Sequence, residues 1–264
     1  MSFLDIDVTA TTLFDVVRCT GPDASICGGW YRSIGERTYR VAMPLLAEDL
    51  LLLALDDESG KAIVDSITLP RALAGAVLLE LALAGVVLLD EEGMKGKKGR
   101  VVVGGTAPTD PLLADSVALL GGRKPMKPAA AIEKLSKNLR DVVLERVVAN
   151  GWVREERGKV LGLFPTRRWP AVDESHERQV RSDLYSVLVD GVTPSPHTAA
   201  LISLLSATKL APKVFPDVDK KRITKRAKEI SEGEWAGKAV RQAVDAVNTA
   251  IIVAVAVPAV VASS

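Results

Sequence analysis

Side chains able to do acid–base, nucleophilic or metal chemistry are scarce in this chain. It has two histidines, His176 and His197, and two cysteines, Cys19 and Cys27. No Cys/His spacing suits a zinc site. His176 lies among charges in SHERQ and is expected on the solvated surface. His197 follows a proline near a helix start and is expected to serve local capping rather than general-base catalysis. Ser206–Lys209 (SATK) fits the S-x-x-K pattern of penicillin-recognising enzymes, in which the serine is the nucleophile, but the companion K-T-G is missing. Gly93–Gly99 (GMKGKKG) lacks the G-K-[ST] of a phosphate-cradling loop and joins two strands, so it reads as a hairpin tip. The acids are scattered or paired with bases along helices, and none suggests a buried carboxylate pair. The expectation is a protein that is not an enzyme and needs no metal or cofactor.

The bases are more informative. Lys95, Lys97, Lys98 and Arg100 crowd one expected hairpin. Lys134, Lys137 and Arg140 recur at i, i+3 and i+6 along one expected helix, and Lys220–Lys228 (KKRITKRAK) forms a third cluster. With a net charge of +1, no global field draws the chain to nucleic acid or membrane. A segregated basic patch can still meet a phosphate-bearing surface locally.

These residues must be held by an aliphatic framework. Of 264 residues 48% are apolar but only 4% aromatic, which favours helices with short hairpins over an aromatic-rich sandwich. The organising stretch is Leu73–Leu89, a buried helix interrupted by one carboxylate, Glu80. Gly85 is placed to stop it in a left-handed cap, and Val86–Leu89 and Val101–Val103 flank a polar turn as two strands. Further helices are expected over Met43–Leu55, Pro111–Leu120, Ala129–Asn150, Asp173–Leu188, His197–Leu210, Asp217–Ile230 and Ala236–Ala256. A second hairpin is expected in Trp152–Phe164, with REERGK as its turn. The fold class is therefore mainly α: a single helical domain with two β-hairpins. Residues 1–41 read as an N-terminal extension and 42–264 as the domain. Met1–Ala10 has no basic n-region of a secretory signal. Two closely spaced thiols are expected to be reduced, and the apolar run Ile251–Val261 is about half the length that spans a bilayer.

Leu46–Leu55 (LAEDLLLLAL), Asp57–Gly60 (DESG), Glu80–Gly85 (ELALAG), Ala107–Asp110 (APTD), Asn138–Gly151 (NLRDVVLERVVANG) and Ala199–Ala207 (AALISLLSA) occur in order, with matching gaps. In this the chain resembles the Golgi phosphoprotein 3 family over roughly Met43–Val257. Its Ala/Val-rich composition suggests a bacterial, actinobacterial member. The resemblance implies a central helix bundle ringed by amphipathic helices, in a family whose eukaryotic members are non-enzymatic peripheral membrane proteins that bind phosphatidylinositol 4-phosphate and hold glycosyltransferases in the Golgi. The family's headgroup pocket uses a tryptophan, an arginine near the start of the central helix, and two arginines three apart on the long helix before the second hairpin. The last two fall on Lys137 and Arg140, which keep both charges. The tryptophan position falls on Asp65 and the first arginine on Ala74, with Arg71 one turn earlier able to compensate. The eukaryotic basic tail has no counterpart in Met1–Tyr39.

The leading expectation is thus a cytoplasmic, peripherally membrane-associated adaptor for an anionic lipid headgroup, gripped by Lys137, Arg140 and Arg71. A protein client and homo-oligomerisation through the hairpin residues Met94, Lys95, Lys97 and Lys98 go with it, and no nucleic-acid partner. A scaffold without lipid binding is the alternative. A winged-helix DNA binder is the other, since a helix followed by a basic-tipped hairpin has that layout. The apolar Ala72–Ala84, however, belongs in a core rather than a groove.

Overall fold

The computed structural model describes residues 44–90, 99–106, 108–121, 124–160, 164–233 and 237–256. They form α1 (Leu46–Leu53), α2 (Thr68–Leu83), β1 (Val87–Leu89), β2 (Val101–Val103), α3 (Pro111–Gly121), α4 (Pro128–Leu135) and α5 (Leu139–Ala149). There follow β3 (Glu156–Val160), β4 (Phe164–Arg168), α6 (Ser175–Leu188), α7 (Pro196–Ala207), α8 (Ala211–Val214), α9 (Lys220–Ser231) and α10 (Lys238–Ala256). The protein is mainly helical with two small antiparallel hairpins, as its composition required. The expected N-terminal extension and the hairpin residues Met94, Lys95, Lys97 and Lys98 lie outside the described residues.

Helix α2 is the axis. Twelve of its sixteen residues are buried, and α1, α4, α5, α7 and α10 all pack against it. A helix apolar on every side is stable only inside such a ring. Gly75 lets the ring close. A Cβ there would meet Ile251 at 2.7 Å and Val247 at 3.0 Å, both on α10, and Leu204 of α7 at 3.4 Å. Every residue of α1 is buried. Each Leu taken from water in these two helices contributes about 1.5–3 kcal/mol before entropy is counted.

The C-terminus of α2 matches its sequence signal. Gly85 adopts φ +68°, its amide donates to Ala82 O at 3.0 Å, and Val86 N donates to Leu81 O at 2.9 Å. That pair of bonds is a Schellman cap, and it aims the chain into β1. Strands β1 and β2 pair with Val87 opposite Val103 and Leu89 opposite Val101.

Two expectations are corrected. The helix expected over Ala129–Asn150 is two helices, broken at Ser136–Asn138. Asn138 takes φ +59°, a left-handed conformation that asparagine tolerates better than most residues, and Ser136 Oγ donates to Glu133 O at 3.0 Å. The turn lets both apolar faces reach α2: Ala131, Ile132 and Leu135 from α4, and Leu139, Val143 and Val147 from α5. The second hairpin is also shifted. REERGK supplies most of β3 rather than the turn, and β4 begins at Phe164, with Glu156 opposite Arg168 and Val160 opposite Phe164. Residues 154–158 are all exposed, so no apolar alternation betrays the start of β3. The backbone ladder holds it, flanked by exposed charge pairs in which Arg157 and Arg167 reach Glu155 at 3.1 and 3.5 Å.

Candidate functional site

The site is built around Arg140, in the first turn of α5, and Trp169, directly after β4. The Arg140 guanidinium lies 5.3 Å from the Trp169 ring centroid, a cation–π contact. Trp169 is only 8% exposed, so its ring is a fixed platform. Its amide donates to Gly60 O at 2.9 Å. Gly60 has φ +61°, and a Cβ there would stand 2.3 Å from Pro170 N, so only glycine lets the α1–α2 connection lie against this segment. The buried Nε of Arg140 has no hydrogen-bond acceptor, and no carboxylate pairs with the side chain among the described residues. The result is a guanidinium held over an indole face, with no carboxylate paired to it among the described residues, a geometry suited to an oxyanion.

The other expected site residues fare differently. Lys137 is exposed in the break between α4 and α5. It borders a groove of about 430 Å3 with Leu112, Leu119, Leu135 and Val142, which Arg140 does not line. The expected row of Lys134, Lys137 and Arg140 along one helix face is therefore corrected, because the helix is interrupted inside it. Arg71 does not stand free to compensate for Ala74. Its Nε donates to Glu133 Oε1, tying α2 to α4, and its Nη1 donates to Ile67 O at 3.4 Å. Ala74 itself is sealed in the core. Asp65 caps α2, accepting from the amides of Ile67 and Thr68 at 2.9 and 2.8 Å. Those bonds, that to Thr68 foremost, hold its carboxyl below the usual range.

The interior also holds a buried polar network that local sequence pattern does not reveal. Glu48 and Asp49 of α1 are 2% and 3% exposed. Glu48 accepts from Arg146 Nε at 2.9 Å and from Leu45 N at 2.8 Å. Arg146 also grips Asp110 through both terminal nitrogens, at 3.3 and 2.8 Å, while Asp110 caps α3 through Leu112 N. Asp49 receives both histidines: His176 Nε2 donates to Oδ1 at 2.7 Å and His197 Nε2 to Oδ2 at 2.9 Å. His176 stacks on Trp152 with centroids 4.4 Å apart, so it is not solvated surface. His197 is not the cap either, because Ser195 caps α7 by accepting from Thr198 N.

Burial raises the Asp49 carboxyl, but hydrogen bonds and charge from the two imidazoles more than offset it and hold it below the ordinary range. Burial lowers His197, and Asp49 and Glu80 reverse that, leaving it raised. Glu80 accepts from Leu46 N at 2.8 Å and is pushed up chiefly by burial. Each histidine spends its Nε2 on the buried Asp49 carboxylate. Ser206 and Lys209, the S-x-x-K pair, border a separate cavity with no histidine or carboxylate. Among the described residues, no group of three or more His, Cys, Asp or Glu side chains is arranged to hold a metal, and no helix is long and apolar enough to cross a membrane.

Set beside known families, residues 46–247 match the family model described as Golgi phosphoprotein 3 (GPP34). A comparison with curated proteins returns no match.

Proposed function

The chain belongs to the Golgi phosphoprotein 3 family, and from that premise we propose that it is a peripheral membrane adaptor whose Arg140 binds an anionic lipid headgroup of the phosphoinositide type. The observation that carries this reading is the unpaired Arg140 guanidinium held on the face of Trp169. The family's pocket implies a tryptophan beside arginines. In this chain the expected tryptophan position is Asp65, and Trp169 supplies an indole from another element. Lys137, exposed one short turn before Arg140, adds a second positive charge near the membrane surface. Arg71 lies outside the grip, its charge met by Glu133.

Each base near an anionic surface contributes about 1 kcal/mol, so two give weak, salt-sensitive docking. Val172, three residues beyond Trp169 and 57% exposed, would add apolar contact with the acyl boundary. A protein client held at the membrane completes the adaptor role, with self-association through the first hairpin. The protein acts without catalysis, cofactor or nucleic-acid partner. The helix that would have to enter a DNA groove, α2, has its surface already buried in the core.

Vesicle flotation across phosphatidylinositol 4-phosphate, other phosphoinositides, phosphatidylglycerol and cardiolipin tests the reading. Capture by at least one anionic composition and not by neutral vesicles is expected. Equal recovery with neutral and anionic vesicles would reject it.

A further inference from the structure

A second group of unpaired cations lies apart from Arg140. The end of α7, the four-residue α8 and the start of α9 enclose a cavity of about 370 Å3. Lys209, Lys213 and Lys220 border it from three successive segments, joined by the hydroxyl residues Ser206 and Thr224, and no carboxylate lines it. Among the described residues none of these three lysines forms an ion pair, and neither hydroxyl has a hydrogen-bond partner. The one bond in the group is from Lys213 Nζ to Ile63 O at 2.9 Å, which leaves that ammonium two further protons to donate.

Three neighbouring acids are committed elsewhere, and the exposed Asp217 does not line the cavity. Glu229 takes Lys225 and Arg226 at 3.9 and 3.4 Å, and Glu232 takes Lys228 at 3.8 Å. Asp219 caps α9 by accepting from Arg222 N at 2.7 Å. Of the bases of α9, Lys225, Arg226 and Lys228 are paired outside the cavity and Arg222 donates to Val189 O at 3.1 Å, while Lys220, on the rim, and Lys221 form no ion pair among the described residues.

Lys209 sharpens the point. It sits at φ +57°, just past the end of α7, where Leu210 N closes the cap on Leu205 O at 2.8 Å. That position favours glycine or asparagine. A lysine there accepts backbone strain and keeps an ammonium on the cavity.

We propose that Lys209, Lys213 and Lys220, with the hydroxyls of Ser206 and Thr224, form a second anion site that takes a phosphate monoester or a diphosphate. Three like charges around one small cavity repel one another until an anion enters. A phosphate offers the required negative charge together with several acceptor oxygens, and lysine serves such groups as a point charge. The site shares no residue with the Arg140–Trp169 grip, and either can fail without the other.

The test is calorimetric titration of the full chain with pyrophosphate at fixed ionic strength, in the native protein and in an Arg140→Gln background that removes the first grip. The cavity variant is Lys209→Gly with Lys220→Gln. Glycine suits the left-handed position, so this variant is expected to melt no lower than its parent. The control is Lys225→Gln with Lys228→Gln, the same charge loss on the same helix outside the cavity. Saturable binding is expected in both backgrounds. The cavity variant should weaken it by at least about tenfold and the control by less than about twofold. No saturable binding, or equal weakening by the two variants, would overturn the proposal. Flotation with phosphatidic acid vesicles then separates the sources. Selective loss of capture in the cavity variant identifies a lipid headgroup, and unchanged capture alongside lost pyrophosphate binding identifies a soluble phosphate.

Discussion

Arg146 shows how a single residue organises this interior. Its guanidinium bridges Glu48, 2% exposed, and Asp110, so removing it strands a buried carboxylate. Arg146→Met should therefore lower unfolding stability by about 3 kcal/mol, read as a shifted denaturant midpoint at unchanged slope. A loss under about 0.5 kcal/mol, the range of an ordinary surface change, would contradict the network. The sequence exposed the participants but not the partnership. His176 reads as surface and His197 as a cap, because each is judged by its neighbours in the chain. Their partners lie far away along it, Asp49 being 127 and 148 residues from the two imidazoles. Local pattern carries no trace of such contacts. Trp169 is hidden for the same reason, since nothing nearby in sequence indicates that Arg140 lies against its ring.

At the scale of elements, the signals that depend on neighbouring residues were readable and those that depend on the fold were not. The glycine cap after α2 and the hairpin it launches followed from spacing alone. The break between α4 and α5 did not, because Ile132, Leu135, Leu139, Val143 and Val147 keep helical spacing straight through it. The asparagine that turns the chain is a weak stop signal without a glycine or proline beside it. Helix-to-helix distances likewise escape sequence reading. Gly75 looks like a mere weak spot in α2, whereas a Cβ there collides with α10. Gly75→Val should destabilise the fold by about 1–3 kcal/mol through overpacking, seen as a lower melting temperature. Loss of protection of α10 amides in hydrogen exchange would accompany it. A variant as stable as the native protein would show that α10 does not pack this closely.

For the whole molecule, the buried titratable groups set a pH profile. Burial pushes the Glu177 carboxyl up to about 7 against the pull of Arg181, with Asp57 and Glu174 adding to the rise. A carboxyl raised from 4.5 binds protons more readily folded than unfolded, so stability falls as pH climbs from there to about 7. His197 is raised above 6.5. Its contribution is complete below that value and is lost as pH rises through the folded value. Asp49 is depressed below 3.8, so its contribution is kept above that value and lost only in stronger acid. Melting temperature should therefore peak in mildly acidic buffer and decline through neutrality. Glu177→Gln should flatten the lower part of the decline and His197→Gln the upper part. A profile rising from pH 5 to pH 8 would contradict both assignments.

The proposed headgroup grip depends on Arg140. Surface plasmon resonance on supported bilayers carrying a small fraction of the best-captured anionic lipid compares the native chain with Arg140→Gln most directly. Losing charge-assisted hydrogen bonds to a phosphate should weaken binding by about tenfold or more, with the melting temperature nearly unchanged. Affinities within about twofold of each other would mean that the guanidinium on Trp169 does not hold the headgroup.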